Sequence, residues 1–307
     1  MADERALSDI ERAAGGTGVR EAPLGRLTSF GSGGAAAMLL ELDDPEAVCR
    51  ALAAVSAAAM PLLVIGKGSN LLVADEGFDG VALMLEGPLK DCTVEGELLL
   101  CGAGAGLPRA SRLAMDAGLS GLEPLAQIPG SIGGAVAMNA GAFGAEIGSL
   151  VEWVEVCGGA GARRVERSGL DFGYRRSGLA AGEVVTRVAL RLSPADPEEI
   201  RLTTAGFRER RESAQPVGRR SFGSVFRNPE GASAGRLLDE AGCKGMRRGG
   251  ASVSDFHANF IVNEGNATTA DVVELMKACQ RRVFEASGVT LKPEVRFVGN
   301  IGLGELS

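Results

Sequence analysis

"QIPGSIGGAVAMNAGAFG", running from Gln127 to Gly144, decides how this chain is read. It holds five glycines, four alanines and no charged residue. Such a stretch is too small and too poor in polar groups for a surface helix. It is too rich in glycine for an ordinary core strand. Side chains are cleared where something must come close to the backbone. A second stretch of this kind, "GKGSNLLV" from Gly66, follows the short apolar run "PLLVIG". Gly66, Gly68 and Ser69 can present successive N–H groups as an anion nest, and Gly130, Ser131, Gly133 and Gly134 can do the same. The bland alternative is a pair of tight turns between packed strands. Neither stretch carries the GxGxxG spacing of a dinucleotide-binding turn, "GAGAGL" also misses it, and no GxxxxGK[ST] occurs.

Outward from these stretches, periodicity supplies the frame. "PEAVCRALAAVSAAA", with Pro45 in its first turn, predicts a helix, and "PLLVIG" a short buried strand. "GVALML" and "GELLLCGAGAG" predict strands; "LPRASRLAMDAGL" predicts a helix stopped by Gly118. "LVEWVEVCG" alternates as a half-exposed strand does, and "GEVVTRVALRLSP" predicts another. Beyond Pro197 three helices follow, in "PEEIRLTTAGFRERRES", in "SAGRLLDEAGCKG" closed by Gly242, and in "TTADVVELMKACQRRVFEASG". These predict a polar N-terminal extension over 1–20, a first domain over 21–200 in two subdomains, and a second, α+β domain over 201–307.

Composition narrows the function. The chain has 307 residues, 45% hydrophobic and 23% charged, with net charge −7. Nucleic acid is therefore not an expected partner. Between Arg201 and Gly250, eleven Lys/Arg stand against five Asp/Glu, a local +6. That is either a solvated helix face or a region that receives an anion. The six cysteines (Cys49, Cys92, Cys101, Cys157, Cys243, Cys279) contain no CxxC pair. They read as small buried thiols in a reducing cytosol, without a disulfide framework or a metal site. The N-terminus shows no apolar signal segment. The most apolar stretch, Ala47 to Ile65, is interrupted by Arg50, Ser56 and Pro61, so no membrane insertion is expected.

Seven blocks in order carry a resemblance: "LTSFGSGGAA", "VIGKGSNLLV", "IPGSIGGAVAMNAGAFG", "FGYRRS", "GSVFRNP", "ANFIVN" and "LKPEVRFVG". From about Pro23 to Gly299 the chain resembles the UDP-N-acetylenolpyruvoylglucosamine reductase (UDP-N-acetylmuramate dehydrogenase) family. The resemblance implies an α+β fold: an FAD-binding domain of the vanillyl-alcohol-oxidase (PCMH) type plus a smaller α+β substrate-binding domain, whose last strand carries Glu294 back to the flavin. It implies NADPH-dependent reduction of UDP-N-acetylglucosamine enolpyruvate through non-covalent FAD, in peptidoglycan precursor synthesis. It also implies a cytoplasmic enzyme, a monomer, with no metal. Both glycine stretches then line the flavin through Gly66, Lys67, Gly68, Ser69, Asn70 and Leu71, and through Pro129, Gly130, Ser131, Gly133, Gly134, Ala135, Asn139 and Gly141.

Three residues take the chemistry in this resemblance. Ser224, in "FGSVFRN", is the proton donor; if the segment is extended, Phe222, Ser224 and Phe226 share one face. Glu294, in "VTLKPEVRFVG", is catalytic near the carbon that gains the proton. Its alternation puts Leu291, Pro293, Val295 and Phe297 on one side and Lys292, Glu294 and Arg296 on the other, the pattern of an exposed charged face. Arg175, in "FGYRRS", has the planar fork that suits the substrate carboxylate, with Arg176 as its neighbour and decoy. Tyr174, the only tyrosine, is expected among the substrate-binding residues beside Arg175; alternatively it reads as a buried ring. Arg227, Asn228, Lys244, His257 and Arg296 are expected to hold the nucleotide sugar. The family usually has Lys where Arg227 stands, and a basic residue and isoleucine where Gly31 and Ser32 stand. The short spacing from Arg175 to Ser224 matches the branch without an inserted tyrosine loop. The competing readings are an FAD oxidoreductase with another substrate, a non-enzymatic nucleotide-sugar binder, and a metal hydrolase. The last suits a chain with one histidine poorly.

Overall fold

Two units of helix and sheet share the chain, and both are discontinuous in sequence. The computed structural model describes residues 3–16, 18–159 and 161–302. Unit 1 takes the described residues within 1–20, 37–67 and 80–210; unit 2 takes those within 21–36, 68–79 and 211–302.

In unit 1, α1 (Glu4–Ala14) is capped by Asp3 and buries Leu7, Ile10 and Ala14. The next helix, α2 (Pro45–Ala57), starts at the N-cap Asp44 with proline in its first turn, and buries Ala47, Val48, Ala51, Leu52 and Val55. Apolar residues return every three or four positions, so each helix has one stripe to bury. A four-stranded sheet runs in the order Gly18–Pro23, Ala35–Leu42, Phe78–Leu85, Leu62–Val64, the last two parallel. A five-stranded antiparallel sheet runs Gly161–Glu166, Val151–Gly158, Val184–Arg191, Leu98–Gly102, Cys92–Glu95. Two more helices, α3 (Leu107–Asp116) and α4 (Ile132–Ala137), pack on it. The strand expected to be half-exposed, Val151–Gly158, is mostly buried. Register shifts after Val151 and Glu155 break its alternation: Val151, Val154 and Val156 enter the main core, while Trp153 is buried separately with Leu100 and Ala189.

A disulfide joins Cys49 on α2 to Cys157, with Cα atoms 5.2 Å apart. This corrects the expectation of six unpaired thiols. A separation of 108 residues leaves no local mark in the sequence. Cys92, Cys101, Cys243 and Cys279 are unbonded, and all but Cys92 are buried. The bond closes a long loop, which restricts the unfolded chain and contributes roughly 2–4 kcal/mol. Reductant should therefore lower the melting temperature of oxidised protein by several degrees. A Cys49→Ser variant should melt at that lower temperature with or without reductant.

The charged helix α5 (Pro197–Ala214) buries Ile200, and the division between units falls within it. Unit 2 holds a four-stranded antiparallel sheet in the order Ser221–Ser224, Phe260–Asn263, Ala251–Val253, Arg247–Arg248. It also holds α6 (Ala234–Glu240) and α7 (Thr269–Ser287). A reciprocal pair between Thr268 and Asp271 starts α7, and Gly288 at φ 71° ends it. Val272, Leu275, Met276, Cys279 and Val283 of α7 join one core with Leu238, Ala251 and Val253. A separate parallel pair sets Arg296–Val298 beside Leu71–Val73. Among the described residues, no helix is long and apolar enough to cross a membrane.

Candidate active site

The stretch Gln127–Gly144 contains α4, whose six residues begin at the N-cap Ser131. The Ser131 hydroxyl accepts the Gly134 N–H at 3.2 Å. The N–H groups of Ile132 and Gly133 donate to the carbonyls of Ala105 and Ala103, both at 2.8 Å. Gly133 and Gly134 thus have their amides engaged inside the protein, and the expected anion nest does not include them. The loop after Leu62–Val64 differs. The N–H groups of Gly66, Lys67, Gly68 and Ser69 have no acceptor among the described residues. Four open amides in succession are available to an anionic oxygen. Much of the glycine content serves packing. A Cβ at Gly133 would stand 2.7 Å from the Ala103 Cβ, and one at Gly66 would strike the Ser131 hydroxyl. At Gly130 the nearest atom would be 3.8 Å away. The two glycine stretches therefore meet directly at Gly66 and Ser131.

Also in unit 1, Tyr174 and Arg175 form the tip of a tight turn. The backbones of Gly173 and Arg176 pair across it, each N–H donating to the other carbonyl at 2.9 and 3.0 Å. Arg175 sits at φ 56°, a conformation that L residues adopt at a cost. Its guanidinium lies 5.1 Å from the centre of the Tyr174 ring. Arg176 is tied to Asp171 at 2.9 Å. Tyr174 is 51% exposed, so the buried-ring alternative fails. The turn hangs on Asn139, which is buried. The Asn139 side-chain N–H donates to the Gly173 carbonyl at 3.0 Å and to Glu146 at 2.7 Å, and its oxygen accepts the Gly148 N–H at 3.0 Å.

Unit 2 brings Ser224 and Glu294 together. The strand Ser221–Ser224 is bulged. Ser221 faces Val262 and Ser224 faces Phe260, so one strand has an extra residue, at Gly223 with φ 79°. The expected shared face of Phe222, Ser224 and Phe226 is therefore not formed. Phe222, Val225 and Phe226 all enter the core, while Ser224 is half-buried. Its hydroxyl has no partner among the described residues. The chain beyond the bulge pairs with the last segment: Glu294 N–H donates to the Val225 carbonyl and Arg227 N–H to the Lys292 carbonyl, both at 2.8 Å. Asn70, in the open-amide loop, donates its side-chain N–H to the Glu294 carbonyl at 3.4 Å, and accepts the Arg296 N–H at 3.0 Å. The expected alternation holds at Leu291 and Val295, buried, and at Lys292 and Arg296, exposed; Glu294 itself is half-buried.

His257 stands edge-on to Phe260 at 5.0 Å, and its Nδ1 accepts the Asn259 N–H at 3.1 Å. Burial, reinforced by the nearby Lys244 charge, lowers its pKa, so the ring is neutral at pH 7 with its proton on Nε2. Lys244 pairs with Asp239 at 2.7 Å, and Asn228 caps the loop before α6 by accepting the Ala234 N–H at 3.0 Å. Part of the basic surplus is thus internally matched, as Arg236 with Glu240 and Arg219 with Glu264 also are. A cavity of about 520 Å³ in unit 2 is lined by Arg219, Arg247, Ser252, Phe256 and Glu264 among others; Ser224, Arg227 and Glu294 do not line it. Among the described residues there is no group of three potential metal ligands. Sequence reading missed Asn259 altogether. An amide inside the apolar run "ANFIVN" was its available signal, since a buried polar side chain needs partners.

Two family models match. Residues 36–165 match an FAD binding domain, and residues 215–298 match the C-terminal domain of UDP-N-acetylenolpyruvoylglucosamine reductase. The reductase of that name from Anaeromyxobacter sp. (strain Fw109-5) is 44% identical over 305 residues, covering 99% of this chain and 95% of the relative. The one from Geobacter metallireducens is 42% identical, covering 92% and 94%. The chain belongs to the UDP-N-acetylenolpyruvoylglucosamine reductase family. The crystal structure of the reductase from Thermus caldophilus agrees, with a TM-score of 0.80 at 41% identity over 92% of this chain and 98% of that one. The fold is thus the α+β arrangement of an FAD-binding domain of the vanillyl-alcohol-oxidase type with a smaller C-terminal domain. As a reductase of this family, the protein is an FAD-containing oxidoreductase of peptidoglycan precursor synthesis, with NADPH as co-substrate and a UDP-sugar as substrate. The open amides of Gly66–Ser69 and the unobstructed Gly130 fit a dinucleotide diphosphate.

Proposed function

We propose that Ser224, Glu294 and Arg175 carry the reduction of UDP-N-acetylglucosamine enolpyruvate to UDP-N-acetylmuramate. Bound FAD supplies a hydride acceptor for NADPH and a hydride donor for the terminal vinyl carbon. Ser224 delivers a proton to the neighbouring carbon. A serine hydroxyl is a weak acid, but the carbanion it meets is strongly basic, and the transfer follows that difference. Glu294 acts beside it on the same carbon. The Arg175 fork takes the substrate carboxylate, where charge accumulates as the hydride arrives. The carrying observation is the 2.8 Å bond from Glu294 N–H to the Val225 carbonyl, which sets the two side chains on adjacent paired backbones. The unpartnered Ser224 hydroxyl supports the same reading.

The residues assigned to non-covalent FAD are Gly66, Lys67, Gly68, Ser69, Asn70 and Leu71, together with Pro129, Gly130, Ser131, Gly133, Gly134, Ala135, Asn139 and Gly141. Tyr174, Arg227, Asn228, Lys244, His257 and Arg296 hold the UDP-sugar. The enzyme works as a monomer in the cytoplasm. Lys244→Ala should raise KM for the UDP-sugar by roughly 10–100-fold, the value of a charge-assisted bond to phosphate. KM for NADPH should stay constant in a steady-state assay. The direct test of the whole reading is anaerobic. NADPH should bleach the flavin, and the enolpyruvyl sugar should restore its colour. Bleaching without recovery would favour an FAD oxidoreductase with another substrate.

A further inference from the structure

We infer that Asn259 is the positioning residue for the Ser224 proton donor; the inference rests on the catalytic role proposed for Ser224. Asn259 is 3% exposed. Its side-chain oxygen accepts the Phe226 N–H at 2.9 Å, and its side-chain N–H donates to the Phe226 carbonyl at 2.8 Å. Its backbone carbonyl accepts the Val225 N–H at 2.9 Å. The bulge at Gly223 explains why a side chain is needed. One extra residue throws the strand out of register with Phe260–Asn263, and Phe226 loses the neighbour a regular ladder would supply. The amide takes that neighbour's place, offering one donor and one acceptor to a backbone that offers the reverse.

On the opposite edge, the same few residues pair with Lys292 and Glu294 through Arg227 N–H and the Val225 carbonyl. Asn259 therefore sets the height of Ser224 relative to Glu294. It also fixes the orientation of His257, since its own N–H is the donor to Nδ1 at 3.1 Å. One residue thus joins the sugar-nucleotide side of unit 2 to the proton donor. A carboxylate could not do this, being acceptor only, and a leucine of similar volume would leave the Phe226 N–H and carbonyl buried and unpaired.

The test compares Asn259→Leu, Asn259→Ala and Ser224→Ala in anaerobic stopped flow. In the two Asn259 variants, NADPH-driven bleaching should keep the wild-type rate, while reoxidation by the enolpyruvyl sugar slows by about 100-fold, the scale of a displacement near 1 Å. Hydrogen exchange supplies a readout independent of turnover: the Phe226 amide should be protected in wild type and lose protection in both variants. Wild-type reoxidation in Asn259→Leu, with Ser224→Ala slowed, would overturn the positioning role alone. Wild-type reoxidation in Ser224→Ala would remove the catalytic reading and this inference with it. Equal slowing of both half-reactions in the Asn259 variants would show general loss of structure and overturn the inference. A Phe226 amide in wild type that exchanges as fast as exposed loops would do so without any variant.

Discussion

Ser224→Ala should leave flavin bleaching by NADPH at its wild-type rate and slow product formation by about 1000-fold, within the range for loss of a positioned proton donor. The separation of the two halves follows from the position of the hydroxyl. Ser224 lies on the bulged strand paired with the Glu294 segment, and its hydroxyl has no partner among the described residues, so its removal leaves no buried group unsatisfied. Phe222, Val225 and Phe226 still fill the core, and melting should shift by less than a degree or two. The diagnostic measurement is single-turnover reoxidation of pre-reduced enzyme. Slowing of both halves by the same factor would place Ser224 in cofactor geometry rather than in proton transfer.

Gly68→Ala should yield protein that purifies colourless and melts well below wild type. Gly68 has φ 60°, and a Cβ there would enter the Leu27 carbonyl oxygen and stand 2.7 Å from the Thr28 Cα. The conformation alone costs an L residue about 1–2 kcal/mol. The overlap is with backbone, which cannot swing aside as a side chain does, and adds about 1–3 kcal/mol. The loop can relieve the clash only by moving, and its movement disperses the successive open amides of Gly66–Ser69. Flavin content, read as the ratio of visible to ultraviolet absorbance, should fall by at least tenfold. Full flavin content in a stable Gly68→Ala protein would show that this loop does not hold the cofactor.

The sequence revealed what local spacing controls. The long helix α7 is legible because its capping pair, apolar stripe and terminal glycine all lie within about twenty residues. The alternation from Leu291 to Arg296 is legible for the same reason. What escaped depends on partners far along the chain. The bulge at Gly223 exists only relative to Phe260 and Val262, so an extended reading wrongly set Phe222, Ser224 and Phe226 on one face. Cys49 and Cys157 carry no mark of each other across 108 residues. Gly133 looked like an open amide because nothing local announces the Ala103 carbonyl, whereas the Ser131 hydroxyl that takes the Gly134 N–H was a local N-cap signal left unread. The candidate site itself was approached through family motifs, since one serine, one glutamate and one arginine have no distinguishing period.

The parallel pairing of Arg296–Val298 with Leu71–Val73 has a consequence for biosynthesis. A growing polypeptide emerges with its glycine loop long before its final strand, so the partner that seats Glu294 arrives last. Contacts this far apart in sequence are also among the slowest to close. A ribosome that stops early leaves Leu71–Val73 without its parallel partner and Asn70 without the Glu294 and Arg296 backbone it binds.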